Sequence, residues 1–172
     1  MKIISNVECQ SWIVGKPHSS FTWESIEIRH KHVMRYSMPA DAGRKTALAR
    51  TFSALSDGPG EGLLWITRWG IFPSSENMTL FEGYRRSLNE KRTLASAPGH
   101  LFGAADIEQL ECLLGMALYF FWDVSLFAPN GVWVRISHDE VFSVHSTDRA
   151  ELRTWQEALA PFELELFSAV EQ

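Results

Sequence analysis

Two short clusters hold the residue types that chemistry needs. His30-Lys31-His32 sets two imidazoles two residues apart. On a β-strand that spacing projects both rings from one face, where they could chelate one metal ion. His100, His138 or His145 would supply a third ligand, and an open zinc-type site so built would lower the pKa of a bound water. No HExxH motif accompanies the pair, and two histidines at the wet end of a half-buried strand need no metal. The second cluster is His138-Asp139-Glu140, within WVRISHDEVFSVHS at residues 133 to 146. An imidazole beside two carboxylates does acid and base work if the three converge, and is ordinary turn material if they point apart.

Other chemistries find less support. There is no GxSxG elbow, and neither Cys9 nor Cys112 sits in a CxxC or other metal or redox spacing. GPGEG at 58 to 62 precedes a strand-like run, where a phosphate-binding loop needs a helix. With no cofactor motif, none is expected, and the missing catalytic signatures weigh against an enzyme.

The elements that carry these residues decide which chemistry is open to them. In 120 to 146 the apolar side chains alternate: Phe120, Trp122, Val124 and Leu126 on one face of a first strand, Val132, Val134 and Ile136 on one face of a second. Opposed residues share a face, so these sets meet only across an odd-numbered loop, and Pro129-Asn130-Gly131 supplies three residues with glycine at the last position. The same parity pairs Ile136 with Phe142 and Val134 with Val144. His138-Asp139-Glu140 then falls at a turn tip.

Ile26 to Met38 also alternates and reads as a strand, and 63 to 72 as a central one. Helices are predicted after Asp41, through Leu80, Phe81, Tyr84 and Leu88, after Asp106, and after Asp148. Residues 89 to 100 read as a loop, and 162 to 170 fit strand or helix alike. The expected fold is α+β: a mostly antiparallel sheet of about five strands, with a β-meander in the C-terminal half and helices packed against it, as a single domain over residues 1 to 172.

A net charge of -5 does not favour nucleic acid as a partner. The longest apolar run, Leu113 to Trp122, is half of what a membrane span needs, and Asn6 and Glu8 interrupt any leader. A soluble, cytoplasmic protein is expected. On the outward face of the meander, parity gathers Asp123, Phe127, Trp133, Arg135 and His145, the aromatic and guanidinium composition of binding hot spots, unless a helix covers that face. The leading expectation is therefore a non-enzymatic module with a protein partner. A metal-dependent hydrolase using His30 and His32 is the alternative, and a small-molecule module lined by Trp65, Trp69 and Trp122 is a third.

Overall fold

Strands with apolar residues in both parities need cover on both faces, and β3 (Gly62–Arg68) is such a strand: Leu63, Leu64, Trp65 and Ile66 are all buried. The computed structural model describes residues 1–15, 21–68 and 75–171. It sets β3 in an eight-stranded sheet whose order is β1 (Lys2–Ile4), β4 (Gly99–Phe102), β3, β5 (Asp123–Phe127), β6 (Trp133–Ser137), β7 (Val141–Ser146), β2 (His32–Ser37) and β8 (Leu166–Glu171). Every neighbouring pair is antiparallel.

Leu64, Ile66, Val124, Leu126, Val134, Ile136, Phe142 and Val144 turn to one face and form the main core. Helices α3 (Ala42–Leu55), α5 (Ile107–Tyr119) and α6 (Arg149–Leu159) cover it, with Phe81 of α4 (Ser75–Ser87). α5 buries Leu110, Leu113, Leu114, Ala117 and Leu118, the stripe its helical period lays down. Each fully buried leucine is worth roughly 1.5–3 kcal/mol over an exposed one. Asp41 caps α3 by accepting the Arg44 N–H at 2.7 Å, and Asp148 caps α6 by accepting the Ala150 N–H at 2.8 Å. Asp106 stands before α5 without capping it, its carboxylate accepting the Gly103 N–H instead.

Leu63, Trp65, Leu101, Phe127 and Trp133 turn to the other face. Helices α1 (Asn6–Val14) and α2 (Trp23–Arg29) lie there, burying Cys9 and Ile26 against the sheet, with Ile4 beside them. A reciprocal Ser5 and Glu8 capping box starts α1, and Gly15 in the left-handed region (φ 68°) ends it.

Register in β5, β6 and β7 follows side-chain parity. Phe127 opposes Trp133, Leu126 opposes Val134, and Val124 opposes Ile136; Trp133 then opposes His145, Val134 opposes Val144, and Ile136 opposes Phe142. Ala128 N–H donates to Val132 O at 2.8 Å around the Pro129-Asn130-Gly131 loop, with Gly131 at φ 83°. Residues 138 to 140 form the second turn.

The sheet differs from the expectation of about five strands in having β1, β4 and β8 as well. Three-residue β1 is too short to show a period, and four-residue β4 opens on a glycine that reads as loop. Ile26 to Met38 is not one strand: Thr22 accepts the Ser25 N–H at 3.1 Å and caps the helix α2, so β2 begins only at His32. Seven residues are too few for helical period to outvote the alternation of Ile26 and Ile28. β5 likewise starts at Asp123, because Phe120 ends α5 and Phe121 takes a left-handed conformation (φ 56°).

Gly99 pairs with Ile4 on one side and Trp65 on the other, and a Cβ there would overlap the Cys9 sulfur and the Ile4 side chain. Gly99→Ala is therefore expected to cost about 1–3 kcal/mol in urea unfolding. At exposed Gly83 in α4 an added Cβ meets nothing, and Gly83→Ala should stabilise by about 1 kcal/mol. Equal effects at the two sites would contradict the close docking of α1 on β4.

Candidate functional site

All five residues predicted for the outward face share it, but α1 and α2 cover its upper half. Phe127, Trp133 and His145 are buried, Asp123 is half-buried, and only Arg135 is exposed. Trp133 lies parallel to Phe127 (centroids 5.8 Å, 4°) and against His145 (4.3 Å), Trp23 (6.0 Å) and the edge of His30 (5.7 Å). The aromatic part of the predicted surface is thus packing between sheet and helix. Arg135 pairs with Glu27 of α2 at 3.6 Å, and Asp123 accepts both the backbone N–H of His138 and its ring Nδ1 at 2.8 Å.

Below the helices the described residues leave the same face open. A cavity of about 650 Å³ is lined by Phe21, Trp23, Trp65, Thr67 and Arg68. One of about 100 Å³ shares Trp23 and Thr67 with it and adds Asp123, Ser125 and Arg135. A third of about 210 Å³ shares Arg135 and adds Glu27, Arg35, Ser143 and His145. Neighbouring cavities share Trp23, Thr67 and Arg135, so the three form a row, here called the groove, over β3, β5, β6, β7 and β2 along the border of α2. Hydroxyls of Ser125 and Ser143 floor it, both buried. Trp23, the first residue of α2, stacks on Trp65 at 5.2 Å and meets Phe21 edge-on at 5.1 Å, yet stays 37% exposed.

Ser143 Oγ and His145 Nε2 lie 2.7 Å apart, the reach of a nucleophile and its base. Burial first, then the nearby charges of His30, Arg135 and Arg35, push His145 down to about 3. A ring that refuses a proton until far below neutrality is a poor general base, and no carboxylate orients its Nδ1, which has no partner among the described residues. The contact ties two buried side chains of β7 together.

Metal chelation by His30 and His32 loses its geometric premise. His30 caps the C-terminus of α2, its Nδ1 2.8 Å from Ile26 O, while His32 opens β2, so the two do not share a strand face. His100 is buried on β4 and His138 is held in the turn by Asp123. Among the described residues no group of three His, Cys, Asp or Glu side chains is placed to hold an ion. Burial raises the Cys9 thiol to about 12. Trp65 and Trp122 belong to opposite faces of the sheet, and Trp69 lies outside the described residues. Among the described residues no helix is long and apolar enough to cross a membrane.

Trp23, Arg35 and Ser143 are groove residues that sequence reading passes over. Parity does place Ser143 opposite Arg135, and it does so in the sheet. For Trp23 the usable signal was Thr22, a cap residue ahead of a seven-residue helix. Comparison with family models, with curated proteins and with solved structures finds no match to this chain.

His145 and His100 both sit near 3 in the folded state against an ordinary 6.5. Between those values the unfolded chain binds the extra protons, so this stability is whole above about pH 6.5 and is lost as pH falls. Glu90, lowered to about 2, adds its own loss only below its ordinary 4.5. In urea unfolding between pH 6.5 and 4.5, each histidine should contribute a slope of up to about 1.4 kcal/mol per pH unit. His145→Phe should remove about half of the fall, and an unchanged slope would contradict a dry His145.

Proposed function

We propose that this chain is a binding module without catalytic activity, which holds an extended segment of a partner protein in the groove beside α2. The observation that carries this reading is the exposed Trp23 and Arg135 joining the three cavities. Tryptophan and arginine dominate binding hot spots, because one offers a rigid apolar plane and the other a fork of donors. Five strands at about 4.8 Å spacing give a groove roughly 19 Å long, the span of about six extended residues. The Arg135–Glu27 pair is half-exposed on both sides and at 3.6 Å is worth little, so a partner carboxylate can replace Glu27 at small cost.

A second reading is a small-molecule module. It is favoured by the cavity of about 650 Å³ walled by Phe21, Trp23 and Trp65, a volume in the range of ligand pockets.

Tagged wild type should retain a partner that, once identified and purified, binds at least tenfold more weakly to a Trp23→Ser, Arg135→Ala double variant with native circular dichroism. Equal affinity for wild type and variant would remove the groove as the site. A bound small molecule seen by native mass spectrometry, lost on Trp23→Ser, would favour the second reading.

A further inference from the structure

Beyond the Leu94–Ala95 turn, which walls one end of the groove, lies a second cleft of about 410 Å³ between α4 and residues 90 to 95. Arg85, Arg86, Lys91 and Arg92 line it, opposed by only Glu82 and Glu90. The two carboxylates are already engaged. Glu82 pairs with Arg86 at 3.2 Å, and Glu90 accepts from Arg92 Nη2 at 2.6 Å and Nε at 3.0 Å.

Arg85 is left over. It is 2% exposed, its guanidinium lies 5.2 Å over the Phe81 ring, and no carboxylate pairs with it among the described residues. His100, the nearby imidazole, is wholly buried, and a neutral ring balances no charge. Arg85 Nη1 donates to Ala97 O at 2.9 Å, while Nε and Nη2 find no partner among the described residues. Glu90 and Glu82 act on Arg85 only at longer range and offset its burial in part; a buried ion without a contacting counter-ion costs several kcal/mol in real proteins.

The two unused nitrogens are a matched set. With Nη1 on the Cδ side, the Nε–H and one N–H of Nη2 point the same way from one edge of the guanidinium. That edge receives the two oxygens of a carboxylate or phosphate in parallel hydrogen bonds. The cleft that Arg85 lines also has an apolar wall of Met78, Phe81 and Leu94, and Lys91, which lines it too, is exposed.

We propose that this cleft binds a small organic oxyanion with an apolar body, a carboxylate or a phosphate monoester, which enters from the Lys91 rim and is received on the Nε–Nη2 edge of Arg85. The site is separate from the groove beside α2 and does not depend on it.

Calorimetric titration and thermal unfolding of the full chain with phenyl phosphate and with hexanoate, against chloride at matched ionic strength, test this. At least one probe should bind saturably and raise Tm where chloride does not; a response to only one of them assigns the head group. Arg85→Met should weaken that binding at least tenfold, and Arg85→Lys, which keeps the charge without the fork, should fall between. Lys91→Glu, a rim change that leaves the core untouched, should weaken it several-fold at unchanged Tm and serves if the Arg85 variants do not fold. Trp23→Ser should leave it as in wild type. No saturable binding of either probe, or undiminished binding in Lys91→Glu together with whichever Arg85 variants fold, would overturn the proposal.

Discussion

Everything else in this fold follows from the requirement that Leu63 to Ile66 of β3 and the hairpin end of β5 and β6 be dry on both faces. Leu63 to Ile66 are apolar in both parities, and Phe127 and Trp133 add apolar rings on the second face, so two layers of cover are needed rather than one. Three long helices meet the need on one side. On the other, α1 and α2 offer nine and seven residues, about 14 and 10 Å of helix against a sheet roughly 34 Å wide. That cover falls short. Where it reaches, the side chains are Leu63, Trp65, Phe127 and Trp133; where it stops, they become Thr67, Ser125, Arg135 and Ser143. The groove is the uncovered remainder, and its polar floor is what a sheet face without cover requires.

Trp133 sits at the border between the two regimes. It is sandwiched by aromatic rings from β5, β7 and α2, and His145 is held neutral by the same burial that makes it a stacking partner. Stacking of this kind adds about 0.5–1.5 kcal/mol per pair beyond area burial. Trp23 therefore has two roles at once: its inner face closes the core over Trp133, and its outer face meets solvent at the groove. α4 presents the opposite case, in which a buried charge has no carboxylate in contact with it among the described residues. Marginal stability leaves room for such a feature where binding gains from it.

The register of β5, β6 and β7 was legible because three independent signals coincide there: alternation, odd loop lengths, and a glycine where the turn goes left-handed. The helices after Asp41, Asp106 and Asp148 were legible from apolar spacing. What escaped the sequence was short. β1 and β4 have three and four residues, α2 has seven, and no period can be established over such lengths. That gap cost the site, since α2 brings Trp23 and Glu27 to the sheet and covers Trp133, while Trp12 of α1 packs on Phe127. Ser5-x-x-Glu8 was a legible capping box, and reading it would have announced a helix ahead of the sheet. Alternation told which residues share a face; it could not tell how much of that face is covered.

Solvent paramagnetic attenuation of the tryptophan indole N–H signals, assigned by single Trp→Phe substitutions, tests the central claim most directly. The N-terminal cover predicts full protection of Trp133, equal to that of Trp122 and Trp155 in the cores, and strong attenuation of Trp23. Attenuation of Trp133 comparable to that of Trp23 would mean that the face is bare, and both the groove and the account of its origin would have to be abandoned.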